Sequence, residues 1–108
     1  MFYLFATAIV IGAAMAFLRL RGKPRPSTGL VLLHGIFAAA GLIAIIVVAI
    51  DNTNRTSHVT GPMILFCIAA VIGFLMLFGY HTRQKALPIG LMIAHAILAV
   101  VAFVWLLA

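Results

Sequence analysis

Two histidines inside long apolar segments have the clearest capacity for chemistry in this sequence. His34 and His95 are each expected about two turns from one end of a helical membrane span. Ionisable side chains inside such a span are costly and by default mark a functional site. Two neutral imidazoles at equal depth would suit a metal ion or the iron of a porphyrin, whereas one alone is explained more simply by a hydrogen bond to a neighbouring helix.

Small residues accompany both histidines. The positions four and seven residues after each histidine hold Ala or Gly, and two further glycines lie in the preceding apolar segments. Such residues would clear a slot for a flat cofactor, although glycines in membrane helices also allow close helix packing. They are Ala38, Gly41, Ala99, Ala102, Gly12 and Gly73.

Basic residues follow the first and third apolar segments, on the side where the histidines lie. Cationic side chains at this position would pair with the propionates of a porphyrin. They are Arg19, Arg21, Arg83 and Lys85, with His81 beside them. His81 and His58 stand at span ends without a repeated partner of the same type, so both are interpreted as surface histidines.

Met15 and Met76 are expected near the depth of the two inner histidines. Thioether and imidazole ligands together suit copper, so a copper-binding or copper-moving protein is a rival to a haem protein. Flexible packing is the simpler interpretation of both methionines.

Four apolar segments have to position these residues. Each approaches the roughly 20 residues that a helix needs to cross the hydrocarbon of a bilayer. They run from about Phe2 to Leu20, Thr28 to Ile50, Gly61 to Tyr80 and Leu87 to Ala108. Because 67% of the 108 residues are hydrophobic and only 7% are charged, a water-soluble fold is excluded. The sequence therefore predicts an all-α membrane domain over residues 1–108, an up-down-up-down bundle of four transmembrane helices.

The distribution of charge predicts the orientation of this bundle. Six basic residues lie in or beside the first and third connections, whereas Arg55 alone lies in the outer loop at residues 51–60. The positive-inside rule then places those connections in the cytoplasm and both termini outside, and a bacterial inner membrane is expected. The formal net charge of +6 is thereby attributed to topology and contact with anionic lipid, and no nucleic acid is expected as a partner.

An internal repeat covers nearly the whole chain. A shift of 61 residues aligns residues 1–47 with residues 62–108 without a gap, and 13 of the 47 pairs are identical, including His34 with His95. Composition alone would give about four identities. The bundle is therefore predicted to be a tandemly duplicated helical hairpin with a twofold axis along the membrane normal. The second and fourth helices would be diagonal, so the two histidines would face each other at equal depth.

With paired histidines on diagonal helices, small residues beside them and a basic rim, the chain resembles the membrane-embedded four-helix b-type cytochromes. The resemblance covers the whole length as architecture and includes no family signature. It implies a haem b ligated by His34 and His95 and a function in electron transfer, with an electron donor and acceptor as partners. The alternatives are the copper protein and a cofactor-free accessory subunit of a larger membrane complex. Outer faces rich in Ala and Gly are also compatible with a homodimer.

The scarcity of acidic residues limits the classes of function. Asp51 is the only acidic residue and stands at a span end, so no buried carboxylate is present to couple transport to protons. The sequence also lacks a glycine-rich phosphate loop and a Ser-His-Asp set with a plausible acid. An electron carrier or an accessory subunit is therefore expected rather than a catalyst.

Overall fold

The computed structural model describes residues 1–51 and 57–108, and these fold into four long helices. They are α1 (Phe2–Leu20), α2 (Thr28–Asp51), α3 (Ser57–Met76) and α4 (Ile89–Leu107), and a π-helical turn at Leu77–His81 continues α3. Each helix is long and apolar enough to cross a membrane, with mean hydropathy between 1.9 and 2.7. The predicted all-α fold with four transmembrane helices is confirmed.

Local capping explains where the helices begin and end at the connection after α1. Gly22 adopts a φ of +105°, and Lys23 N–H donates to the Leu18 carbonyl at 3.1 Å, which closes the helix in a Schellman motif. Glycine suits this position because side chains rarely adopt a positive φ. The Ser27 hydroxyl then accepts a hydrogen bond from Leu30 N–H at 3.3 Å and caps α2.

The outer connection is shorter than predicted. The sequence pattern indicated a loop over residues 51–60, but α2 extends through Asp51 and α3 begins at Ser57. Pro62 consequently lies inside α3 rather than in its first turn. Residues 57–60 join the helix because Val59 packs into the bundle, where only 1% of its surface is exposed.

The helices form a square in which neighbours along the chain are neighbours in space. Contacts are most extensive within the α1–α2 and α3–α4 hairpins, and further contacts join α1 to α4 and α2 to α3. The diagonal pairs are therefore α1 with α3 and α2 with α4, as expected for an up-down-up-down bundle. Large apolar side chains such as Val10, Ile36 and Val71 are exposed on the outside, which is the surface that lipid would cover.

The two ends of the bundle are packed differently. The end that carries both termini, which we call the outer end, contains a cluster of buried side chains around Phe5 and Phe66, whose rings stack in parallel with centroids 3.8 Å apart. The remaining buried members of this outer core are Ile45, Val59, Ala102 and Leu106. The basic end, which carries the connections at 21–27 and 82–88, encloses a cavity instead. The candidate functional residues lie around this cavity.

Candidate functional site

The two inner histidines make the same hydrogen bond in each hairpin. His34 Nδ1 lies 2.7 Å from the carbonyl of Ala8, and His95 Nδ1 lies 2.7 Å from the carbonyl of Ala69. A carbonyl only accepts hydrogen bonds, so Nδ1 donates in both cases. In the neutral imidazole this leaves Nε2 with its lone pair, the arrangement that metal-ligating histidines commonly have.

Glycines on the neighbouring helices make room for the imidazole rings. A Cβ at Gly12 would lie 3.0 Å from His34 Cε1, and a Cβ at Gly73 would lie 3.2 Å from His95 Cε1. Both glycines also line the cavity. Their direct contact is with the histidines, so they set the position of each ring as well as leaving space beside it.

The histidine rings meet across the diagonal of the bundle. Their centroids are 6.1 Å apart and their planes are inclined at 66°. Two imidazoles that bind one metal from opposite sides through bonds of about 2.0–2.1 Å have ring centres about 6 Å apart. The observed separation is close to this value and is also that of a direct edge-to-face contact between two rings. It is reached while each Nδ1 stays bonded within its own hairpin.

The cavity beside the pair has a volume of about 200 Å³ and is partly open at its sides. It extends from the histidines to the basic end, where the buried residues Pro26 and Leu87 line it. These two residues are equivalent in the repeat, since they differ by 61 positions. The lining is almost wholly apolar apart from its histidines, which favours an occupant with an apolar body and a single polar or metal centre.

The predicted small residues divide between this cavity and the outer core. Ala99 lines the cavity, but Ala38 does not. Gly41 packs against Phe5, where a Cβ would lie 2.9 Å from the ring, and Ala102 is fully buried in the outer core. The cavity extends from the histidines towards the basic end, whereas residues seven positions later lie about 10 Å away towards the outer end. Gly41 and Ala102 therefore serve packing.

The predicted basic partners differ in what they contact. Arg19 Nε donates to the Leu87 carbonyl at 3.0 Å and so ties α1 to the residue that closes the cavity. Arg21 lies over the ring of Phe17 at 5.4 Å, whereas Arg83 and Lys85 are exposed. Among the four, Arg19 is thus the one that the structure brings to the edge of the cavity.

His81 is a site residue that the sequence interpretation missed, and its assignment as a surface histidine was wrong. Its side chain is only 9% exposed and lines the cavity. The π-helical turn explains the difference, because it adds one residue to the helix and so shifts the register by one. Gln84 N–H bonds to the His81 carbonyl just as Gly22 N–H bonds to the Arg19 carbonyl, so His81 occupies the place of Arg19 in the first repeat.

The methionines predicted near the histidines also reach the cavity. Met15 and Met76 line it, and so does Met92, which is buried and had not been singled out. The site thus offers three imidazoles and three thioethers within one apolar cavity. No group of three or more His, Cys, Asp or Glu side chains close enough to hold a metal ion occurs among residues 1–51 and 57–108.

Comparison of the chain with protein-family models, with curated proteins and with solved structures gives no match. The function is therefore inferred from the chemistry of the site. Two opposed imidazoles with fixed tautomers can ligate a metal atom strongly, and the surrounding apolar residues would exclude water from it.

Proposed function

We propose that the protein is a small b-type cytochrome-like electron carrier in which Nε2 of His34 and Nε2 of His95 would hold the iron of one haem. The observation that supports this most is the pair of Nδ1 hydrogen bonds, which leave the Nε2 lone pair available on two rings whose centroids are 6.1 Å apart. When bound, the iron would supply one-electron transfer. Two imidazole ligands would favour electron transfer over oxygen binding.

The residues of this chain have defined roles in that proposal. The carbonyls of Ala8 and Ala69 orient the imidazoles and make them more basic ligands. Gly12 and Gly73 admit the rings, and the apolar cavity walls exclude water. Arg19, close to the basic end of the cavity, is the nearest of the predicted partners for a propionate.

The size of the cavity sets a condition on the proposal. Sites for drug-sized ligands measure about 300–1,000 Å³, which is more than the cavity of about 200 Å³ beside the histidines. The donor set fits an iron porphyrin, but the edges of the macrocycle would have to extend through the open sides of the cavity between the helices. Haem binding would accordingly be accompanied by a small separation of the two hairpins.

The direct test is the visible spectrum of protein purified from haem-replete cells. Low-spin haem gives a Soret band and a sharp α band on reduction, and His34→Ala or His95→Ala is expected to abolish this spectrum or convert it to a high-spin one. His58→Ala is the matched control and should leave the spectrum unchanged, because His58 is exposed at the opposite end of the bundle. A colourless, metal-free protein unaffected by these substitutions would instead favour an accessory subunit of a membrane complex.

Copper is the second candidate, because three methionines share the cavity with the histidines. A single metal ion would also fit the present volume without any movement of the hairpins. Metal analysis of the purified protein separates the two proposals, since copper without haem absorption supports this one. Met15→Leu with Met76→Leu should then weaken copper binding but should leave a bis-histidine haem spectrum largely unchanged.

The membrane and the orientation are part of the same proposal. The six-to-one distribution of basic residues supports a bacterial inner membrane, with the basic end of the bundle in the cytoplasm. The site would then exchange electrons near the cytoplasmic surface.

A further inference from the structure

A second pocket lies on the surface of the basic end, next to the start of α2. This rim pocket is open, measures about 570 Å³ and is more polar than the inner cavity. Its principal lining residues are Leu18, Lys23, Arg25, Ser27, Thr28 and His81. Lys23 and Arg25 are not needed by the proposed haem site, so this group of side chains has no role yet.

The electrostatic environment of the rim pocket favours an anion. Lys23 and Arg25 both line it, and Asp51, the only acidic residue of the chain, stands at the opposite end of α2. The N-terminus of the 24-residue helix α2 adds partial positive charge. Ser27 satisfies the N–H of Leu30, whereas the N–H groups at the start of the first turn have no acceptor within the helix.

The buried imidazole of His81 lines the rim pocket as well as the inner cavity. The imidazole is 9% exposed, its Nε2 lies 3.3 Å from Thr28 Oγ1, and its Nδ1 is buried without a partner among the described residues. A buried polar nitrogen without a partner is unfavourable and calls for an explanation. The imidazole contacts the hydroxyl of Thr28, an exposed residue that lines the rim pocket, and can fix the direction in which this hydroxyl donates.

We propose that the rim pocket binds a phosphate group, carried either by an anionic phospholipid or by a soluble phosphate ester. Lys23 and Arg25 pair with the phosphate oxygens, and the first turn of α2 contributes N–H donors. His81 donates from Nε2 to Thr28 Oγ1, so that the Thr28 hydroxyl donates to the phosphate. His81 is therefore a positioning residue, and Thr28 makes the contact. Leu18 at the edge of the pocket would lie against an acyl chain if the phosphate belongs to a lipid.

The test uses the full chain in zwitterionic phosphatidylcholine nanodiscs, with binding measured by calorimetry and native mass spectrometry. The probes are short-chain phosphatidylglycerol, glycerol phosphate and inorganic phosphate. Lys23→Gln with Arg25→Gln should weaken binding of the preferred probe at least tenfold. The matched control, Arg83→Gln with Lys85→Gln, removes the same charge from the other connection and should change binding less than twofold, because neither residue lines the pocket.

Conservative variants test the hydroxyl without removing charge. Thr28→Val should reduce binding severalfold while Thr28→Ser restores it, and His81→Phe should reduce binding in the Thr28 protein but not further in Thr28→Val. Binding of phosphatidylglycerol alone identifies a lipid site, and binding of all three probes identifies a phosphate-ester site. The proposal is overturned if no probe binds or if the two double variants weaken binding equally. These measurements do not depend on haem, so their outcome is separate from that of the spectrum.

Discussion

At the scale of single residues, the site depends on how each imidazole is fixed within its own hairpin. His34 is bonded to the carbonyl of Ala8 and lies against Gly12, and the equivalent contacts recur at His95. A side chain at residue 12 would therefore disturb the hydrogen bond that selects the tautomer of His34.

Substitution of Gly12 by Ala tests this contact. The added Cβ would lie 3.0 Å from Cε1 and 3.3 Å from Nδ1 of His34, so the ring must shift by a few tenths of an ångström and its bond to Ala8 must lengthen. We expect the free energy of unfolding in mixed micelles to fall by about 1 kcal/mol. Retention of the proposed haem, followed by absorbance, should fall with it.

Gly35→Ala is the control, because nothing lies within 4 Å of a Cβ at this position of α2. Alanine there should be neutral or slightly stabilising, since it has the higher helix propensity. Equal losses of stability at residues 12 and 35 would mean that glycine matters for helix flexibility and not for the imidazole.

The sequence predicted the histidine pair and its neighbouring glycines for two reasons. An ionisable residue inside a membrane span is energetically costly, and both the histidines and the glycines recur in the internal repeat. The repeat placed His34 and His95 at one depth, and the membrane made their presence costly. The sequence could not predict that Nδ1 would bond to the carbonyls of Ala8 and Ala69, because any backbone carbonyl of a neighbouring helix can accept a hydrogen bond from an imidazole. The exact rotation of each helix decides which carbonyl is in reach.

At the scale of elements, the π-helical turn is the main departure from the repeat. The turn at Leu77–His81 contains one residue more than the equivalent part of α1. The helix then ends at the second connection, where Gln84 adopts a φ of 56°. Gly22 has the corresponding role in the first connection. Because Gln84 tolerates this conformation less well than glycine would, the packing of His81 and the turn has to maintain it.

Deletion of Gly79 tests whether the turn holds one residue in excess. Removal of a residue from a π-helical turn converts it to an α-helix and leaves the flanking segments in place. We expect this deletion to preserve folding, as judged by size-exclusion chromatography and by a thermal midpoint within a few degrees of the wild type.

Deletion of Ala16 from the matching part of α1 is the comparison, because no extra residue is present there. It should rotate Arg19 by about 100° away from Leu87 and lower the thermal midpoint clearly. Similar behaviour of the two deletions would contradict the one-residue register shift.

This element also marks the limit of what the sequence could predict. A gapless alignment assigns Leu20 as the counterpart of His81, so no repeated histidine distinguished His81 from a surface residue at the end of a span. Nothing in the residues Leu77 to His81 distinguishes a π-helical turn from an α-helix, because the choice depends on how the end of α3 packs against the first connection. The four spans were predictable from hydropathy, since an apolar segment of this length can satisfy its own backbone polar groups within a bilayer only as an α-helix.

At the scale of the whole molecule, the two hairpins meet through pairs of equivalent residues. Phe5 and Phe66 join α1 to α3 in the outer core, and His34 and His95 join α2 to α4 near the basic end. Both pairs differ by the repeat offset of 61 residues, which is what a duplicated hairpin with a central twofold axis predicts.

A double-mutant cycle on Phe5 and Phe66 tests the junction between the hairpins. Each single change to Ala should destabilise the bundle to a similar extent, because the two residues are equivalent and both are buried. The double variant should lose less than the sum of the two, with a coupling of about 0.5–1.5 kcal/mol for the stacked rings. Phe17→Ala, on the exposed surface, should have little effect on unfolding in SDS titrations.

The orientation of the bundle gives a further prediction. Single cysteines introduced in the connection at residues 21–27 should resist impermeant thiol reagents in intact cells, because the basic end is expected in the cytoplasm. Cys67 is replaced by Ala in these variants. Ready labelling of this connection from outside would reverse the orientation and place the site at the other membrane surface.

The one-residue difference between the hairpins has a consequence for anything that enters the inner cavity. Three equivalent pairs line it: Gly12 with Gly73, Pro26 with Leu87, and His34 with His95. His81 also lines it, whereas its counterpart Arg19 lies at the edge, bonded to the Leu87 carbonyl. A perfectly twofold cavity would accept an asymmetric guest equally well in two poses related by a half-turn. The guanidinium of Arg19 and the imidazole of His81 break this symmetry. The two poses then differ in energy, so one orientation of the guest should predominate.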